Sequence, residues 1–153
     1  MKQFGIIGAI AIIILVGGVW LSNNLEEKSS DGSDSPILSR NGIHYHPEVE
    51  IYIHGEKQDI PANIGLIGGH NPMHTHDPDG IVHLEYGSGI VRGDDTRLGN
   101  FFRLWGKEFN SNQILEYTNG EDGAVSMTVN GESNTEFENY EMRDGDEIII
   151  RYE

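Results

Sequence analysis

The spacing of polar and apolar positions changes several times along the chain. Residues 4–21, FGIIGAIAIIILVGGVWL, are an uncharged apolar run of 18 residues, about the shortest helix that crosses a ~30 Å hydrocarbon core. Residues 22–40 are rich in Ser, Asp, Asn and Gly, and such a segment buries too little apolar surface to offset its ordering entropy. Short alternating runs then begin. Val49, Ile51 and Ile53 alternate with Glu50, Tyr52 and His54, the two-residue period of a half-buried strand. A turn at Gly55 leads toward Asp59-Ile60-Pro61, which predicts a hairpin. Residues 65–80, full of Gly, Pro, His, Asn and Asp, predict a long loop. Residues 81–86 (IVHLEY) alternate again, with Val82, Leu84 and Tyr86 on one face and Ile81, His83 and Glu85 on the other.

Farther on, the period lengthens. Leu98, Phe101, Phe102 and Trp105 recur at helical spacing. Asp94-Asp95-Thr96 suits the helix N-terminus and Gly106 its end, so a short helix of about ten residues at most is predicted. Val125, Met127 and Val129 predict a third alternating strand, closed by the Asn130-Gly131 turn. Asp144-Gly145-Asp146 turns the chain into a last strand over residues 147–152. The order of these elements predicts an α+β fold: a mixed sheet with one short helix and an inserted His-rich loop and strand, preceded by a single N-terminal transmembrane helix.

Three segments follow from this pattern: an anchor over residues 1–21, a tether over 22–40 and a globular domain over 41–153. Lys2 on the short side of the apolar run places the N-terminus in the cytoplasm and the domain outside. Trp20 sits where an interfacial aromatic anchors the far end. The stretch after Leu21, SNNLEE, lacks a small-x-small cleavage site, which favours a retained anchor over a signal peptide.

Composition narrows the chemistry. The 153 residues hold 10 Lys and Arg against 25 Asp and Glu, a net charge of −15. A nucleic-acid partner is excluded, because phosphate contacts need clustered basic residues. The chain has no cysteine, which removes disulfides, thiolate metal sites and Cys nucleophiles. No Gly-rich phosphate loop, G-x-S-x-G elbow, H-E-x-x-H helix or EF-hand loop is present.

Two strings carry resemblances. Met127-Thr128-Val129-Asn130-Gly131, followed by Tyr140-Glu141-Met142-Arg143-Asp144-Gly145-Asp146-Glu147-Ile148, resembles the C-terminal half of β-grasp domains. In the small sulfur carriers of that fold a V-N-G turn is likewise followed by an L-x-D-G-D-x-V-x-I strand. The resemblance implies a β-grasp-like sheet. It does not imply sulfur transfer, because the Gly-Gly tail those carriers use has no counterpart in Arg151-Tyr152-Glu153. Separately, HYH at 44–46, IPANIG at 60–65, HTHD at 74–77, GIVHLE at 80–85 and LGNFFRLWG at 98–106 resemble a group of uncharacterised membrane-anchored or secreted prokaryotic proteins. That resemblance implies one module and brings no chemistry of its own.

All seven histidines fall between His44 and His83. Five of them, with Glu85, form three pairs spaced by two: His44-x-His46, His74-x-His76 with Asp77 beside it, and His83-x-Glu85. In extended chain, residues i and i+2 project to the same side, so each pair can aim two donor atoms at one point. With Val82, Leu84 and Tyr86 facing the core, His83 and Glu85 point the other way. The Asp77-Pro78-Asp79-Gly80 turn can fold His74 and His76 back over them. His44 and His46 fall on the polar parity of the first strand. The lone His54 and His70 read as turn or surface residues. Asp77 can also be no more than a turn cap, and Glu85 can pair with an arginine such as Arg92.

Imidazole-rich sites with carboxylates suit copper and zinc, and the absence of thiolates disfavours a Cu(I) trap. The expected metal ligands are therefore His44, His46, His74, His76, His83, Asp77 and Glu85, around a copper or zinc ion. The leading expectation is a membrane-anchored extracytoplasmic metal-binding module for delivery, storage or sensing. The alternatives are a structural subunit of a membrane or envelope complex, and a His/carboxylate metalloenzyme with Asp77 or Glu85 as base. A binding role is favoured over an enzyme.

Overall fold

The computed structural model describes residues 35–153. The expected anchor over residues 1–21 and the expected tether up to residue 34 lie outside the described residues. No helix among the described residues is long and apolar enough to cross a membrane.

In chain order the strands are β1 (Ile37–Ser39), β2 (Ile43–Tyr45), β3 (Glu48–Ile53), β4 (Glu56–Gln58), β5 (Met73–His74), β6 (His83–Tyr86) and β7 (Val91–Arg92). The helix α1 (Leu98–Trp105) follows, then β8 (Phe109–Asn110), β9 (Gln113–Ile114), β10 (Tyr117–Thr118), β11 (Val125–Val129), β12 (Glu132–Ser133) and β13 (Glu147–Tyr152). The result is an α+β unit, mostly strand, with one α-helix among the described residues.

The longest strands build the main sheet, in the order β12-β11-β13-β3-β4. β13 and β3 run parallel at its centre, β11 pairs antiparallel with β13, and the hairpins β11-β12 and β3-β4 form the two edges. The predicted alternation fixes the inner face: Val49, Ile51, Ile53, Val125, Met127, Val129, Ile148, Ile150 and Tyr152 are all buried. Leu98, Phe101 and Phe102 of α1 join them in one core. Gly106 ends the helix in the left-handed conformation, as its position predicted. The acidic group before the helix acts one turn earlier than expected. Asp95 accepts a bond from the Arg92 backbone N–H at 2.8 Å and caps a 3-10 turn over Gly93–Thr96, while α1 itself has Arg97 at its N-cap position and no side-chain cap.

The N-G and D-G-D strings form one buried lock. The carboxylate of Asp146 accepts from the Tyr140 hydroxyl at 2.7 Å, the Arg143 N–H at 2.7 Å and the Asn130 side-chain amide at 3.0 Å. Asn130 in turn accepts from the Glu147 N–H at 2.9 Å. This network starts β13 in register beside β3 and satisfies a carboxylate held away from water.

The sequence boundary at residue 41 moves. The compact unit begins at Ser35, because Ile37–Ser39 pairs with Val91–Arg92 in a small separate sheet. Residues 35–40, assigned to the tether by composition, thus belong to the unit.

A third sheet, β2-β6-β5, carries the histidines. Val82 and Leu84 anchor it in the common core. Backbone bonds from the Val82 N–H to the Pro47 carbonyl and from the Val49 N–H to the Gly80 carbonyl, both 2.9 Å, tie it to the start of β3.

Candidate metal centre

β6 lies between the other two strands of this sheet. On one side, β5 pairs with it so that His74 stands opposite His83. On the other, β2 pairs with it so that His44 stands opposite Glu85. His83 and Glu85 lie on the face of β6 away from buried Val82 and Leu84, as the alternation required. Three strands thus deliver the three pairs to one surface.

His44 and His46 reach this surface by a different route from the one expected. They do not extend the polar parity of β3. Pro47 separates them from it: His44 rides on β2 with its own register against β6, and His46 follows just past the end of that strand. Gly42 makes that approach possible. Its φ is +75°, and a Cβ there would stand 1.9 Å from the Tyr86 carbonyl oxygen, so only glycine admits the close crossing.

The H-T-H segment is held from its middle. Thr75 is fully buried. Its hydroxyl donates to the Pro61 carbonyl at 2.9 Å and accepts from the Ile64 N–H at 3.1 Å. Backbone bonds between Thr75 and both Asn63 and Ile64 complete the clamp. With Thr75 turned inward, His74 and His76 face the opposite way together. Their Nε2 atoms are 3.1 Å apart. The IPANIG string is therefore the seat of the HTHD string.

His74 is prepared as a ligand. Its Nδ1 lies 2.9 Å from the Asn71 carbonyl oxygen. A carbonyl only accepts, so Nδ1 carries the proton and Nε2 presents a lone pair toward His76 and the cluster. His83 Nδ1 is buried without a hydrogen-bond partner and lies 3.5 Å from Glu85 Oε1. That carboxylate oxygen is also 3.2 Å from His44 Nε2. Glu85 thus faces imidazoles, and Arg92 is instead bonded to the Ser35 carbonyl.

The ring contacts trace a continuous patch. His74 stacks on His83 at 5.3 Å between centroids, His76 meets His83 at 4.7 Å, His46 meets His83 at 4.9 Å and His44 meets His46 at 4.7 Å. Burial pushes the His74 and His83 imidazoles below their ordinary values, and neighbouring histidines push the same way. Both rings are therefore neutral and basic on the unprotonated nitrogen near pH 7, the form that binds metal. Partial burial opposes ionisation of Glu85, but the combined field of His74, His44, His83 and His76 outweighs it and lowers its pKa.

Donor atoms of His74, His76, His83 and Glu85 all lie within 4.8 Å of one another, and so do those of His44, His46 and Glu85. Around a tetrahedral ion with bonds of about 2.0 Å, donors stand about 3.3 Å apart. The observed 3.1, 3.2 and 3.5 Å separations bracket that spacing. The described His/Glu groups can hold a metal ion.

Asp77 belongs to neither donor group. It is exposed, and the bond that shapes its turn comes from Asp79, whose carboxylate accepts from the Ile81 N–H at 2.9 Å. His54 packs edge-on against Tyr117 and Tyr152, outside both donor groups. His70 is exposed but its ring meets that of His74 at 4.7 Å, a neighbour the lone-residue reading passed over. Asp144 is the other addition. Its Oδ1 accepts from the His46 N–H at 2.9 Å and lies 3.7 Å from His46 Nδ1. No local signal links two residues so far apart in sequence.

A scan against protein-family models finds no match, and searches of curated proteins and of solved structures return no similar chain. The functional argument therefore stands on the donor set itself.

Proposed function

We propose that this protein is a membrane-anchored, extracytoplasmic module that binds Cu(II) or Zn(II) for delivery, storage or sensing. The observation that carries the reading is the convergence of five imidazoles and one carboxylate, from three strands, on one surface at ligand spacing. Nitrogen-rich donors without thiolate suit both ions. The hydrogen bond from His74 to the Asn71 carbonyl is the outer support that metal-binding histidines characteristically have. The uncharged run at residues 4–21, with Lys2 before it, supports the anchor and its orientation. An acidic chain around the site favours cation capture.

For the scaffold we propose a β-grasp. The sheet order with its central parallel pair, and a helix between the two hairpins packed into the core, support that assignment.

Elemental analysis of the full-length protein, purified without metal-affinity resin, tests the metal reading. At least one copper or zinc per chain is expected, and a d–d absorption band identifies Cu(II). A chain that stays metal-free after incubation with both ions refutes it and favours a structural subunit of an envelope complex.

A further inference from the structure

Donors within 4.8 Å of one another fall into two groups, not one. His74, His76, His83 and Glu85 make the first, and His44, His46 and Glu85 make the second. Glu85 alone belongs to both. Its Oε1 stands 3.5 Å from His83 Nδ1 of the first group and 3.2 Å from His44 Nε2 of the second. The groups abut where the His46 and His83 rings meet edge-on, at 4.9 Å.

The groups differ in access. In the first, His74 is fully buried and the His83 side chain is 21% exposed, with His76 exposed at the rim. In the second, His44 and His46 are 66% and 41% exposed. The second group also borders an open cleft of about 510 Å³ lined by His44, Glu85 and Tyr86. The first group offers four protein donors, a complete tetrahedral set. The second offers three and leaves a position toward solvent.

We propose, building on the metal-binding reading above, that the module holds two ions bridged by the Glu85 carboxylate: an inner ion on His74, His76 and His83, and an outer, exchangeable ion on His44 and His46. Both contacts are made by Oε1, and a carboxylate oxygen carries two lone pairs, so this one atom can ligate both ions. One anion between two dications leaves positive charge, and Asp144, 3.7 Å from His46 Nδ1, supplies a second carboxylate beside the outer position. The inner ion would stiffen the three-stranded sheet. The outer one would be the ion passed to a partner, because three donors and an open position release it faster.

The test is a Cu(II) titration of the full-length, metal-stripped protein, read by bound-copper analysis and electron paramagnetic resonance. Two copper ions per chain are expected. Ions sharing a carboxylate lie about 4 Å apart, so the isolated-Cu(II) signal should lose more than half its intensity between one and two equivalents, with a half-field transition appearing. The variant His44→Ala with His46→Ala should saturate at one copper with a full, uncoupled signal. These exposed side chains leave the fold intact, which an unchanged Tm of the stripped variant checks. Glu85→Gln should abolish the coupling. Saturation of the unmodified chain at one copper, or two coppers with undiminished signal, overturns the bridged pair and leaves the metal-binding reading standing. No retained copper or zinc overturns both.

Discussion

Two polar surfaces of this domain lie on its strands and behave in opposite ways. On β3, β4 and β13, Glu50 pairs with Lys57, the Tyr52 hydroxyl donates to Glu50 at 3.0 Å, and the Arg151 guanidinium lies 5.2 Å over the Tyr52 ring. Each group there has its complement within the protein, and the bonds from Lys57 and Tyr52 hold the Glu50 carboxyl below its ordinary value. On β2, β5 and β6, imidazole faces imidazole, one carboxylate faces two rings, and His83 Nδ1 is buried without a hydrogen-bond partner. The first surface is complete as it stands. The second gathers imidazole nitrogens and a carboxylate that can hold a metal ion together. The first surface sets acid against base, and the second sets imidazole against imidazole around one carboxylate.

The largest expected effect comes from breaking the second surface at the pair that includes buried His74. His74→Ala with His76→Ala should lower Zn(II) or Cu(II) affinity by more than about 100-fold, beyond the loss typical of an outer-shell change, as read by competition with a chromophoric chelator. Glu50→Gln should leave that affinity unchanged.

Next comes the strand crossing that seats His44 opposite Glu85. Gly42→Val introduces a Cβ against the Tyr86 carbonyl at a positive φ. It should destabilise the metal-free protein by about 2 kcal/mol or more, measured by urea unfolding, and weaken metal binding as β2 detaches.

Acid should distinguish the surfaces further. His74 and His83 titrate below their unfolded-state value of about 6.5. The unfolded chain therefore takes up protons first as pH falls, so their contribution to stability is present above pH ~6.5 and is lost below it. Bound metal is lost over the same range, since protons compete for the same nitrogens. Thermal unfolding at pH 7.5 and 5 should show a larger drop for the metal-loaded than for the metal-free protein. Equal drops would mean that the imidazoles carry no ion.

The smallest effect sharpens the comparison from the other side. Glu50→Gln removes an ion pair that is only partly buried and should cost less than about 1 kcal/mol in urea unfolding.

How much of this was legible depended on the range of the interactions. The β3 alternation, the α1 stripe from Leu98 to Trp105 and the Gly106 stop are local, and the sequence displayed them. The pairing of His74 with His76, and of His83 with Glu85, followed from two-residue parity on extended chain, and both hold. What escaped was non-local or interrupted. Pro47 breaks the parity that seemed to run from His44 into β3, and β2 is too short to announce itself as a strand. Residues 35–40 looked like tether because a three-residue strand gains its order only from Val91 and Arg92, far along the chain. Thr75 as the clamp of the HTH segment, and Asp144 beside His46, were invisible because their partners are distant in sequence. Asp77 was placed at the site by adjacency to His76, whereas the donor groups close without it.

The central claim is that the imidazole surface is a ligand set. X-ray absorption of the full-length protein loaded with one equivalent of Zn(II) tests it most directly. A first shell of nitrogen and oxygen at about 2.0 Å is expected, with the outer-shell scattering of at least two imidazoles, both diminished in His74→Ala with His76→Ala. A spectrum of hydrated zinc, with no imidazole scattering, would contradict it.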